Sequence, residues 1–173
     1  MTTRIILTVL GSDRPGLTQA LADAVMAAGG NWLESHLLRL GGKYVGSVLV
    51  ELDEAGLDTL EAEVRKVDAS GLQVAIVPAG DGPGDPEASL WIELVGQDRP
   101  GIVREVTSVL AGLGVNIEEL KTGTENTAWS GELLFRAKAR LTLPPGVSFD
   151  QVRGGLENIS GDIMVDFTIS ASA

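Results

Sequence analysis

Twice in 173 residues the chain places an Asp-Arg-Pro-Gly quartet directly ahead of an amphipathic segment, as Asp13-Arg14-Pro15-Gly16 and as Asp98-Arg99-Pro100-Gly101. The chemistry open to such a quartet is recognition rather than bond making. Proline lacks an N–H and has a preset φ, which suits the first helical position. An aspartate just ahead can accept hydrogen bonds from the free N–H groups of the first turn. A glycine in that turn costs up to about 1 kcal/mol against alanine and leaves bare backbone that another group can approach. Helix N-termini also attract anions such as a carboxylate. Two readings stay open: a well-capped strand-to-helix turn retained for its geometry, or a site for a small ligand. In the second, backbone N–H groups hold an anion such as a carboxylate. Arg14 or Arg99 then assists, or lies solvated beside its aspartate.

The rest of the sequence argues against catalysis. The chain has no cysteine and one histidine, His36, which reads as a half-exposed strand residue rather than a base or metal ligand. Neither a nucleophile elbow, a P-loop nor a dinucleotide fingerprint is present. Glu118-Glu119 and the Glu61/Glu63 pair do not put two carboxylates on one face. The expectation is no catalytic residue, no metal and no cofactor. Trp32, Trp91 and Trp129 read as packing residues.

The elements that position the two turns come from a duplication. At an offset of 85, Leu7 matches Ile92, Val9 matches Leu94, Gly11 matches Gly96, and the quartets coincide. Leu21 matches Val106, Val25 matches Leu110, Asn31 matches Asn116, and the register is read as far as Gly46 and Gly131. Beyond that the offset becomes 92, aligning Leu57, Leu60, Val64 and Val67 with Phe149, Val152, Leu156 and Ile159, and the extra length is assigned to the loop from Leu141. Each copy reads as an alternating strand, the turn, a helix with apolar residues at i, i+4 and i+8, a hairpin (around Gly41-Gly42 in the first), a second amphipathic helix and a last strand. The glycine pairs Gly29-Gly30 and Gly154-Gly155 read as punctuation. That order, βαββαβ, predicts an α+β protein of two ferredoxin-like domains, each an antiparallel four-stranded sheet with two helices on one face. The boundaries are 1–79 and 89–173, with a Gly- and Pro-rich acidic linker over 80–88.

One sheet face in each domain lacks helices of its own. The first strands place Ile6, Thr8 and Leu10, and Trp91, Glu93 and Val95, on that face. Apolar residues there favour association, and a homodimer is expected.

The net charge is −11, with the halves 1–85 and 86–173 contributing −6 and −5. Nucleic-acid binding needs clustered Lys and Arg. The nearest approach to a stripe, Arg136, Lys138 and Arg140, reads as a solvated strand face, so no direct nucleic-acid contact is expected. No apolar run approaches the ~20 residues of a membrane span. The N-terminus runs straight into a strand-like segment, and a cytoplasmic protein is expected.

The turn, its amphipathic helix and the following "GGNW" or "GVNI" resemble the ACT domain, a small regulatory module commonly acting as an amino-acid sensor. Two such modules in tandem resemble the glycine cleavage system transcriptional repressor family; the N-terminal module of formyltetrahydrofolate deformylases carries a similar turn. The resemblance implies a non-enzymatic regulatory protein that binds a small amino acid, glycine being the candidate, at interfaces between ACT domains, and modulates a partner such as a DNA-binding regulator. It implies ligand contacts from Asp13, Arg14, Pro15, Gly16, Asp98, Arg99, Pro100 and Gly101, together with Asn31 and Asn116. A helix from Pro15 to about Ala28 would be roughly 20 Å long, so each Asn must serve a turn of another domain. Each Asn also reads simply as a turn residue following glycines. The competing function is a dimerisation or docking module with no ligand.

Overall fold

The computed structural model describes residues 1–80, 89–126, 133–161 and 163–170. The chain divides into two compact units, Met1–Gly82 and Pro83–Ala173. Residues 81–88 of the expected linker, Trp129 and Gly131 lie outside the described residues.

The N-terminal unit runs β1 (Thr2–Ser12), α1 (Leu17–Ala27), β2 (Asn31–Leu40), β3 (Lys43–Asp53), α2 (Leu57–Ala69) and β4 (Leu72–Pro78). The C-terminal unit repeats the order with β5 (Ser89–Gln97), α3 (Ile102–Gly112), β6 (Asn116–Asn126), β7 (Leu133–Thr142), α4 (Phe149–Glu157) and β8 (Met164–Ser170). Their antiparallel sheets have the orders β2-β3-β1-β4 and β6-β7-β5-β8, so the first strand of each unit is central. This is the expected ferredoxin-like βαββαβ fold.

Strand alternation sets the inner face. Ile5, Leu7 and Val9 are buried, as are their cross-strand neighbours Val48 and Val50. Leu21, Leu60 and Leu72 close the N-terminal core, and Leu94, Leu110, Leu141 and Leu156 the C-terminal one. Burying each of these side chains contributes roughly 1.5–3 kcal/mol. Trp32 packs against both apolar clusters of the N-terminal unit, as a packing residue should.

Glycine ends the first helix of each unit in the same way. Gly29, at φ 70°, donates to Met26 O, while Gly30 N–H reaches back to Val25 O at 2.9 Å; Gly114 and Val115 repeat the pattern. This is the Schellman arrangement. By contrast, Gly154 and Gly155 punctuate nothing, because both lie inside α4. A Cβ on Gly155 would stand 2.9 Å from Val109 Cγ1 on α3, so that glycine permits a close helix–helix approach.

The register of the duplication also needs correcting. Tyr44 pairs with Gly11 and Phe135 with Gly96, so Tyr44 corresponds to Phe135, an offset of 91. Since Val9 faces Gly46 and Leu94 faces Ala137, the counterpart of Gly46 is Ala137 rather than Gly131. Most of the added length therefore lies in the β6–β7 connection, not in the loop from Leu141. Sequence matching missed this because both flanking strands alternate, and alternation survives many shifts.

Candidate functional site

Neither quartet forms the expected helix cap. α1 begins at Leu17 and α3 at Ile102, so Pro15 and Pro100 precede the helices by two residues instead of opening them. The N-cap is the glycine. Gly16 has φ 92° and ψ −3°, Gly101 has φ 91° and ψ −5°, and no side chain caps either helix. These values belong to the third position of a type II turn, where φ must be positive, with proline favoured at the second. Around Gly101 the turn is closed by Ile102 N–H donating to Arg99 O at 3.3 Å. The glycine is thus required by the backbone itself. It also leaves space open, since a Cβ at either position would meet nothing within 4 Å.

The aspartates and arginines are freed from the capping role and are engaged differently in the two units. Asp13 Oδ2 lies 3.4 Å from Arg39 Nε, at the end of β2. Arg14 donates to Ser70 O at 2.6 Å, at the C-terminal end of α2, where a cation suits the exposed carbonyls. In the C-terminal unit Arg99 grips Glu105, in the first turn of α3, through two hydrogen bonds. The Arg99 hydrogen bonds hold the Glu105 carboxyl below its ordinary range, and the carboxylate raises Arg99 in return. Neither arginine lies beside its own aspartate. Asp98 has no ion-pair partner among the described residues.

The second turn opens on a shallow depression of about 370 Å³, lined by Asp98, Gly101, Val103, Thr122, Thr124 and Phe135 among others. Asn31 and Asn116 are exposed first residues of β2 and β6 and lie far from the turns of their own units. Asn31 pairs with Glu51 and Asn116 with Thr142, while the turns follow the strand ends paired with Tyr44 and Phe135. Seven residues of extended strand separate those levels, about 23 Å. The structure therefore brings each Asp-Arg-Pro-Gly quartet together but leaves the Asn of the same unit at the opposite end of the sheet.

The open sheet faces are unlike one another. In the N-terminal unit Leu10, Leu38, Leu40 and Val77 are exposed there, with Ile6, Val45 and Leu49 half-buried between them. In the C-terminal unit Trp91 and Val95 flank an ionic lattice. Arg136 binds Glu93 and reaches Glu125 at 3.3 Å, Lys138 lies 3.5 Å from Glu93, and Arg140 lies 3.4 Å from Glu118. Hydrogen bonding from Arg136, reinforced by Lys138 and opposed by partial desolvation, holds the Glu93 carboxyl below its usual range. The trio Arg136, Lys138 and Arg140 is consequently a neutralised ladder rather than a solvated basic stripe. Sequence reasoning missed this because a bulge between Ile117 and Glu119 brings Glu118 to Arg140, and strand bulges carry no local signature here. His36, on the other open face, is exposed with Nε2 2.9 Å from Glu34 Oε1.

Models of the ACT domain match residues 3–76 and 90–137. The chain belongs to the ACT-domain family. It carries that domain twice, as the duplicated fold requires. The glycine cleavage system transcriptional repressor of Escherichia coli K12 is 26% identical over 123 residues, 70% of this chain and 65% of the relative; that of Shigella flexneri matches equally. The aligned region thus spans a little under two thirds of those relatives. Among solved structures, an unknown protein from Galdieria sulphuraria superposes with a TM-score of 0.79 at 28% identity, covering 98% of this chain and 99% of that one. A putative glycine cleavage system transcriptional repressor gives 0.71 at 16% identity over 99% of both chains, a likeness of fold. No helix among the described residues is long and apolar enough to cross a membrane.

Proposed function

We propose that this tandem ACT protein is a non-enzymatic regulatory sensor of a small amino acid, acting in the cytoplasm through a protein partner. The observation that carries the reading is the turn itself. Twice, a Pro-Gly pair sets an uncapped helix N-terminus behind a left-handed glycine with open space in front of it. Such a terminus offers N–H groups to a carboxylate, and Asp13 or Asp98 offers a carboxylate to an ammonium group. The contacts proposed come from one or both quartets, Asp13, Arg14, Pro15 and Gly16 or Asp98, Arg99, Pro100 and Gly101, with Asn31 or Asn116 contributed from another ACT domain, in the same chain or a second copy. The name of the Escherichia coli relative makes glycine the first candidate ligand and a transcriptional regulator of glycine cleavage the candidate partner. A net charge of −11 favours a basic protein partner over direct nucleic-acid contact.

The test is thermal unfolding of dialysed protein against each of the twenty amino acids at millimolar concentration. A ligand at a hundred times its dissociation constant adds about 2.7 kcal/mol of stability. A shift confined to one or two amino acids supports a sensor; no shift with any of them overturns it.

A second reading rests on the apolar open face of the N-terminal unit, where Leu10, Leu38, Leu40 and Val77 meet solvent. A contiguous apolar patch of this kind fits an association surface, and in this reading the protein is a homodimeric docking module. Light scattering across a hundredfold concentration range tests it, and a monomer throughout overturns it.

A further inference from the structure

The two turns share four identical residues, yet their surroundings differ at three positions beside the turn. In the N-terminal unit Arg39 pairs with Asp13, Tyr44 OH and Thr18 Oγ1 hydrogen bond at 2.6 Å, and Lys43 donates to Ser12 at 3.1 Å. The strand registers place Thr124 where Arg39 stands and Phe135 where Tyr44 stands; Val103 takes the place of Thr18. All three replacements line the depression at the second turn. Each removes a polar group that closes the first turn. Asp98 has no ion-pair partner among the described residues, while Arg99, which also lines the depression, spends its guanidinium on Glu105.

Resting on the sensor reading above, we infer that the duplicated turns are not equivalent. The second receives the ammonium group of an amino acid at Asp98, and the first is closed to it by this chain's own Arg39. A guanidinium tethered 3.4 Å from Asp13 supplies the cation that a ligand would otherwise bring, and its tether gives it a high effective concentration. The Tyr44–Thr18 bond spans the start of α1 on the same side. At the second turn neither obstacle exists, and Thr122 and Thr124 add hydroxyl groups to the wall around Asp98. The specificity-determining positions are therefore 39 and 124, outside the repeated quartet.

The test is a 15N–1H correlation titration of the full chain with each of the twenty amino acids, with circular dichroism confirming the fold of every variant. For the amino acid that binds, the amides of Asp98, Gly101, Thr122 and Thr124 should shift, and those of Asp13, Gly16 and Arg39 should not. Asp98→Asn should weaken binding about tenfold or more, as loss of a charged hydrogen-bond partner does. Thr124→Arg should close the second turn, and Arg39→Thr with Tyr44→Phe should open the first, raising the stoichiometry from one to two. The N-acetyl form of the same amino acid, which lacks the ammonium charge, should not bind. Shifts at both turns or only at the first, or equal binding of the N-acetyl form, would overturn the asymmetry while leaving a sensor in place. Silence from all twenty amino acids at both turns would overturn the sensor reading and this inference together.

Discussion

The two open sheet faces show what a duplication keeps and what it releases. Inward positions remain apolar in both units: Leu7 and Ile92, Val50 and Leu141, Leu60 and Val152 are buried alike. Outward positions have diverged on the strands beside β1 and β5, although Ile6 and Trp91, and Leu10 and Val95, stay apolar on the central strands. The face carrying Leu10, Leu38 and Val77 is an apolar surface, whereas the equivalent face of the C-terminal unit is held by Arg136, Lys138 and Arg140 among glutamates. The core is constrained by close packing, which registers even a single methylene. An exposed face answers only to what touches it.

The largest expected effect ignores this contrast and strikes the shared core. Leu7→Ala and Leu141→Ala, at fully buried positions, should each lower stability by about 2–5 kcal/mol, measured as the loss in urea unfolding free energy. Next comes a substitution that only makes the N-terminal unit resemble its partner. Gly46→Ala introduces the residue type found at Ala137, but Gly46 has φ 150° and its Cβ would lie 1.9 Å from His36 O. Strain of about 1–3 kcal/mol or more is expected in the same assay, and a neutral result would show that β3 can relax to the β7 geometry.

How far such positions were legible from the sequence follows from the physics. The alternation of Ile5, Leu7 and Val9 and the Gly41-Gly42 hairpin are local signals, so the order of elements could be read directly. The left-handed role of Gly16 and Gly101 was hidden because proline next to a helix also fits its first turn. The partners of Arg14, Asp13 and Arg140 were not legible. Arg14 and Ser70 are 56 residues apart, and only the assembled sheet and helices bring them together. The capping box of Ser148 and Gln151 on α4 is by contrast a local signal, legible as Ser-x-x-Gln.

A third substitution separates the faces by association. Leu10→Glu with Leu38→Glu should convert a dimer to a monomer by light scattering, while Val95→Glu on the charged face should leave the mass unchanged. The reverse pattern would move the interface to the ionic lattice. The smallest effect concerns pH. The Glu93 and Glu105 carboxyls are held below their ordinary range by Arg136 and Arg99, so their contribution is present above the unfolded-state carboxylate range, near 4.3. It is lost as the pH falls through their lowered folded values. Glu93→Gln should therefore be slightly less stable than the parent at neutral pH, with the difference closing in acid. Both partners are substantially exposed, which keeps the effect small.

The place of β1 in its sheet governs how the chain comes together during synthesis. β1 is made first yet lies between β3 and β4, pairing Leu7 with Val48 on one side and with Ile76 on the other. One edge of that strand can pair with β3 once residues 43–53 have emerged, but the other stays open until residues 72–78 follow. Closure of such separated segments is slow compared with local pairing. A nascent chain arrested before Leu72 leaves the β4-facing edge of its central strand unpaired, and β5 waits in the same way for β8 in the second unit.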